Sequence, residues 1–169
     1  MGTHMQPEGL SILLAQLQHE QSAVRVSAIK QLAQPGNIPA IAPLATLLDD
    51  PEDAVRLQVI LALRQIGGPH VFDVLVAALQ NERPQVRRAA IVTLGKLADP
   101  RSLTPLLQAL QDPDERVRNS ALLTLGELGD PRALPALERL QSHNEQEPAQ
   151  LKQEYLNHAI KNIHKRNQL

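Results

Sequence analysis

The chain has no cysteine and no tryptophan, and its 169 residues include one Phe, one Tyr and two Met. Without cysteine there is no disulfide framework, no thiol nucleophile and no Cys-ligated zinc. That composition suits a reducing compartment, and a cytoplasmic location is expected. Aromatic volume is nearly absent, so the 43% apolar content must build its core from Leu, Ile, Val and Ala. Charge of one sign is missing too: 17 Lys and Arg stand against 18 Asp and Glu, a formal net charge of −1. A broad cationic surface with stacking platforms for bases is therefore not expected, and no nucleic acid is assigned as a partner. Thirteen Pro and eight Gly keep every apolar run short of the ~20 residues a membrane span needs, so no membrane insertion is expected. The start lacks a basic segment followed by an apolar one, the mark of a secretory signal. Met1 to His4 read as a vector-derived scar, leaving 5–169 as a single domain.

What the sequence does have is a repeat, the feature that decides the fold class. Val-Arg recurs at 24–25, 55–56, 86–87 and 117–118, a spacing of 31 each time. Leu13, Leu44, Leu75, Leu106 and Leu137 keep the same period, as do Leu10, Ile41, Phe72, Leu103 and Leu134. Leu32, Leu63, Leu94 and Leu125 form a further column.

Each unit reads as two amphipathic helices. Leu103, Leu106 and Leu110 give the i, i+3, i+7 stripe of the first, and Val117, Ala121, Leu125 and Leu128 mark the second. Asp99-Pro100 and Asp130-Pro131 precede first helices, Asp50-Pro51 and Asp112-Pro113 second helices, each Asp expected as an N-cap before a proline. Gly67, Gly68 and Gly129 follow second helices, where a C-terminal glycine belongs. Pro43 and Pro105 should bend their first helices or delay their start.

The spacing predicts helix pairs over 7–18 and 22–33, 39–49 and 52–66, 70–80 and 83–97, 101–111 and 114–128, and 132–142 and 149–164. The corresponding repeats are about 7–35, 36–66, 67–97, 98–128 and 129–164. A hairpin cannot bury its apolar stripe alone, so the expected fold is all-α: five hairpins in a right-handed α-α superhelix. The fifth has no Val-Arg and aligns Ala159 with Ala121 only if about seven residues are inserted around 142–148. It reads as a divergent cap, with Tyr155, Leu156, Ala159, Ile160 and Ile163 on the docking face and Lys161, His164, Lys165 and Arg166 making a basic end.

The stretch DPDERVRNSALLTLGELGDPRALPAL (112–137), with partial copies upstream, resembles the short HEAT-like repeats of phycobilisome lyase proteins. They share the pattern D-x-x-x-x-V-R-x-x-A-x-x-x-L-G-x-L-G-D-P-R, and the resemblance covers about 7–141. It implies a HEAT-like solenoid and an Asp–Arg ladder between units. Asp50 with Arg56 and Asp112 with Arg118 match the ladder pattern, whereas His19 (for Arg25) and Asn81 (for Arg87) depart from it. It also implies a protein partner, a phycobiliprotein or another component of a photosynthetic complex. The alternative activity it implies is that of a bilin lyase or lyase subunit, with a tetrapyrrole as ligand, although the chain looks short for a full lyase subunit.

Two surfaces are candidates for function. The Arg column (Arg25, Arg56, Arg87, Arg118) could take a phosphate or carboxylate, but a structural tether to turn carbonyls or an Asp explains it more simply. On the second helices, the positions the repeat leaves open should face the concave surface and would be polar if merely solvated. Instead Val26, Leu57, Leu61, Val92 and Leu123 stand there. Lys30, Gln65, Arg88, Lys96, Arg116, Asn119 and Glu127 surround them, the apolar strip and charged rim of a protein-binding groove.

No catalytic residue, metal site or cofactor is assigned. The His-Glu dipeptide His19-Glu20 falls in a turn, unlike the paired motifs of iron-binding HEAT-like hydroxylases, and His70, His143, His158 and His164 are scattered. The expectation is a monomeric, non-catalytic assembly scaffold that binds a partner on its concave face.

Overall fold

The computed structural model describes residues 7–143 and 153–168. The expected scar, Met1 to His4, and most of the expected insertion at 142–148 lie outside the described residues.

Ten α-helices and no strand occur among the described residues. They are α1 (Pro7–Gln16), α2 (Ser22–Leu32), α3 (Ile38–Thr46), α4 (Asp53–Ile66), α5 (Pro69–Ala78), α6 (Pro84–Leu97), α7 (Leu103–Gln108), α8 (Glu115–Leu128), α9 (Leu134–His143) and α10 (Gln153–Asn167). Of the predicted hairpins, α1 packs with α2, α3 with α4, α7 with α8 and α9 with α10. The first helices are less regular than the pattern suggests, since 3₁₀ turns end α3 and α7 (Leu47–Asp49, Ala109–Gln111) and begin α7 and α9 (Pro100–Ser102, Pro131–Ala133). Pro43 lies inside α3, where its missing N–H leaves the Pro39 carbonyl without its helical donor. Pro105 falls in the first turn of α7, where a backbone N–H has no helical acceptor to lose.

Asp99 and Asp130 accept the N–H groups of Arg101 and Arg132, each at 2.9 Å, and cap the first helices as expected. The second helices α4 and α8 start one residue later than expected, and Glu52 and Asp114 occupy the N-cap position, not Asp50 and Asp112 two residues before them. Proline cannot donate to those aspartates, so each turns instead onto the next free donor. The N–H of Glu52 donates to Asp50 Oδ1 (3.0 Å), and that of Asp114 to Asp112 Oδ1 (2.9 Å). At the other end, α8 stops at Gly129, whose φ of 72° is left-handed backbone open to glycine at little cost.

The chain packs as two compact units divided between Val74 and Leu75, within α5. In the first, α2 lies against α4 and α3 against α4, closing over Leu17, Ile29, Leu32, Leu44 and Leu63, all fully buried. In the second, α6 packs on α8 and α8 on α10 around Ile91, Leu106, Leu122, Leu125, Leu137, Leu156 and Ile163.

Small residues set the spacing in this second unit. A Cβ on Gly126 would come 2.9 Å from the Ala159 Cα, so α10 rests directly on the α8 backbone. Helix α10 docks as the expected cap, burying Leu156, Ala159, Ile160 and Ile163 with Tyr155 partly buried beside them. It begins at Gln153 and runs on to Asn167, whose Nδ2 donates to the Gly129 carbonyl at 2.9 Å.

Candidate functional site

The Arg column has one repeating arrangement. Nη1 of Arg25 donates to the carbonyls of His19 (2.7 Å) and Glu20 (2.9 Å), six and five residues earlier. Arg56 does the same to Asp50 and Pro51, Arg87 to Asn81 and Glu82, and Arg118 to Asp112 and Pro113. Each guanidinium thus ties the turn that leads into its own helix. Arg25, Arg56 and Arg87 are buried, and Arg118 is half-buried. The column is a set of tethers, and its donors point into the protein.

The carboxylate partners differ from those the sequence suggests. Asp50 does not ion-pair with Arg56, nor Asp112 with Arg118; each offers those arginines only its backbone carbonyl. The side-chain pairs form 25 residues apart, as forks. Arg25 Nε and Nη2 meet Asp50 Oδ2 and Oδ1, each at 2.8 Å. Arg87 meets Asp112 in the same way, at 2.7 and 2.8 Å. Arg56 pairs instead with Asp53 one turn before it on α4. The long guanidinium stem reaches past its own turn, and the bidentate fork needs an approach from outside that turn.

The two apparent departures turn out to be partial substitutes. The N–H of Gln21 donates to His19 Nδ1 (3.1 Å) and that of Arg83 to Asn81 Oδ1 (2.9 Å). Positions 19, 50, 81 and 112 therefore all hold an acceptor that closes the turn, and Asp50 and Asp112 also carry a charge for an arginine. The hydrogen bonds Arg87 donates to the Asp112 carboxylate, partly offset by burial, raise the Arg87 pKa above its ordinary value. Beside this pair lies a hollow of about 410 Å³ whose walls include Asn81, Gln108 and Ile91. Of its three charged residues, Glu82, Arg87 and Asp112, the last two already satisfy each other.

The expected binding residues divide by exposure. On α2, Val26 is half-buried and Lys30 exposed; on α4, Leu57 is 56% exposed, Gln65 exposed and Leu61 half-buried. On α6, Arg88, Val92 and Lys96 are all exposed, Val92 by 45%. On α8, Arg116, Glu127 and Leu123 are exposed, Leu123 by 39%, whereas Asn119 is half-buried. Val26 and Leu61 are thus less open than Leu57, Val92 and Leu123.

Within the second unit, Val92 and Leu123 occupy the same column of adjacent helices. Two polar bridges frame them: Arg88 Nε donates to Ser120 Oγ (3.3 Å), and Lys96 Nζ meets Glu127 Oε2 (3.4 Å). Two further exposed aliphatics, Ile12 (59%) on α1 and Ile38 (54%) at the start of α3, were not anticipated. Each sits in an apolar stretch of a first helix that reads as core by pattern alone.

No group of three or more His, Asp or Glu side chains placed to hold a metal occurs among the described residues. His19 and Glu20 are both exposed in the turn between α1 and α2. No described helix is long and apolar enough to cross a membrane.

Several solved structures share the fold. A chain from the complex of CpcE and CpcF of phycocyanin lyase from Nostoc sp. PCC7120 is 22% identical, with 93% of this chain and 99% of that one covered and a TM-score of 0.61. The match thus extends over nearly the whole of both chains. Human deoxyhypusine hydroxylase in complex with glycerol is 20% identical over 95% of this chain and 64% of its own, at a TM-score of 0.62. The Escherichia coli protein YibA is 24% identical over 94% of this chain, with a TM-score of 0.59; this chain spans 55% of its length. No curated protein matches. HEAT repeats match residues 10–86 and 72–153, so nearly the whole described chain is covered, and the chain belongs to the HEAT-repeat family.

Proposed function

We propose that the chain is a non-catalytic interaction and assembly module that holds a protein partner against the open faces of its second helices. The observation that carries this reading is the exposure of Leu57, Val92 and Leu123 at repeat positions that a merely solvated helix would fill with polar groups. Burying such aliphatic surface is worth ~25 cal/mol per Å², so a partner that covers it gains directly. The resemblance to phycobilisome lyase proteins directs the search for that partner to phycobiliproteins and photosynthetic complexes, in the cytoplasm, with the chain acting as a monomer.

The test is a pull-down from a cyanobacterial lysate with the wild-type protein and a Leu57→Glu/Leu123→Glu variant. Both changes lie at exposed positions, and circular dichroism checks that the fold is kept. Loss of the same specific partner with a folded variant is the expected result. Equal recovery of every bound protein by both would sink the reading.

A second reading, a bilin lyase subunit that positions a tetrapyrrole beside its acceptor apoprotein, draws support from the equal span of this chain and the Nostoc lyase chain. It predicts a shift in phycocyanobilin absorbance on adding the protein at micromolar concentration, alone or with apoprotein. An unchanged spectrum in both mixtures rejects it.

A further inference from the structure

We infer that the α6–α8 face of the second unit recognises an acidic peptide segment carrying an aliphatic side chain. The inference rests on the proposed function and adds the chemistry of the partner. Val92 and Leu123 form the apolar centre, side by side at one register of adjacent second helices and each well exposed. Around them stand the cations Arg88, Lys96 and Arg116, with Glu127 and Glu115 as the carboxylates among them. Lys96 and Glu127 neutralise each other at one end. At the other end stand Arg88 and Arg116, both exposed, and neither has a carboxylate partner among the described residues.

Arg88 is held in place by Ser120, whose hydroxyl in turn donates to the Arg116 carbonyl at 2.8 Å. Ser120 thus brings the Arg88 side chain to α8 one turn from Arg116, with Val92 one turn beyond Arg88 and Leu123 about two turns beyond Arg116. Glu115, at the start of α8, is engaged with Asn119 at 3.4 Å.

Five arginines elsewhere in the chain do find carboxylates: Arg25 with Asp50, Arg56 with Asp53, Arg87 with Asp112, Arg101 with Asp99 and Arg132 with Asp130. Against that background, two unneutralised arginines beside an exposed aliphatic pair are complementary to carboxylates flanking an apolar anchor. The sequence has the same bias: residues 1–74 hold seven acidic and four basic side chains, residues 75–169 eleven and thirteen. A nucleic acid would match the cations but leave Val92 and Leu123 facing phosphate and sugar, with no aromatic ring on which to stack a base.

A random peptide display library panned on the full-length protein tests this, with Arg88→Gln/Arg116→Gln and Val92→Ser/Leu123→Ser variants in parallel. Enriched peptides should place Asp or Glu around Leu, Ile or Val. In fluorescence anisotropy they should bind the arginine variant about five- to tenfold more weakly, as the loss of two exposed charge pairs implies. Added salt should weaken binding to the wild type and much less to that variant. Neutral or basic enriched peptides that lose binding only in the Val92/Leu123 variant would overturn the inference while leaving the proposed function standing. Enrichment that neither variant reduces, or no enrichment at all, would overturn the inference as well. So would displacement of the bound peptide by single-stranded DNA at equal concentration.

Discussion

Arg25 and Asp50 meet as fork and carboxylate, Nε to Oδ2 and Nη2 to Oδ1 both at 2.8 Å, with 10% and 3% of their side-chain surfaces exposed. The same Asp50 accepts the Glu52 N–H, and the same Arg25 donates to two turn carbonyls. One pair thus joins α2 to the turn that opens α4, with nearly every polar atom satisfied.

Removing the charge from that pair should be costly. Asp50→Asn keeps an acceptor for the Glu52 N–H, as Asn81 does at its own turn, but leaves the Arg25 charge buried without a counter-ion. A loss of roughly 2–4 kcal/mol is expected, and more for Asp50→Ala, which also removes the turn acceptor. Glu127→Gln breaks only the exposed contact to Lys96 and should cost under about 1 kcal/mol. Urea denaturation of the three variants measures the order; equal costs for Asp50→Asn and Glu127→Gln would contradict it.

Gly126→Ala should destabilise although alanine is the better helix former by about 1 kcal/mol. The new Cβ would meet the Ala159 Cα at 2.9 Å, and backbone cannot swing aside as a side-chain tip can. A net loss of about 1–3 kcal/mol follows, with α10 the first element to loosen. Gly95→Ala meets the Thr124 methyl instead, and a Thr124→Ser change should recover much of its cost. Hydrogen exchange on α10 distinguishes the two sites.

The period made the helices and their partners legible, because Leu and Ala columns at a spacing of 31 can be satisfied only by stacked hairpins. The ladder was legible in its residues and not in its pairing. Spacing places Asp50 six residues from Arg56, yet the length and planarity of a guanidinium let Arg25 approach the same carboxylate from the preceding hairpin. His19 read as a break in the pattern because a one-letter column does not show that an imidazole nitrogen can accept the hydrogen bond a carboxylate accepts. The exposed strip was half legible. Helical spacing separates the open face from the core, but how far a neighbouring helix covers Val26 or Leu61 depends on interhelical distance.

Stability should fall in acid partly through two surface caps. Asp99 and Asp130 are held below the usual carboxylate range, first by the side chains of Arg101 and Arg132 and also by those residues' backbone N–H groups. A carboxylate whose folded pKa is lowered stabilises the fold above its unfolded value, about 3.9, and that contribution is lost as pH falls through the folded value. Melting temperature should therefore be insensitive to these two groups above about pH 5 and decline below about pH 4. Asp99→Asn/Asp130→Asn should melt lower than wild type near neutrality and lose less on acidification. A parallel pH profile for the variant would exclude a contribution from these caps.

Ala98 stands where α6 ends, at the position that Gly67 fills after α4 and Gly129 after α8. Its φ of 51° makes it the one described non-glycine residue in left-handed backbone. A Cβ there crowds the following carbonyl at a cost of ~1–2 kcal/mol, which glycine escapes. Glycine also gives the unfolded chain more freedom, which returns ~0.4–1 kcal/mol to the unfolded state. The difference favours the folded form, so Ala98→Gly should stabilise the protein by roughly 0.5–1 kcal/mol, against the usual direction of an Ala→Gly change. The side chain is exposed, so no packing is lost. Ala90→Gly, fully buried within α6, serves as the control and should destabilise by about 1 kcal/mol or more through helix propensity and lost contacts. Opposite shifts in denaturation midpoint for the two variants are the expected result, and a loss of stability in both would show that the left-handed turn carries no recoverable strain.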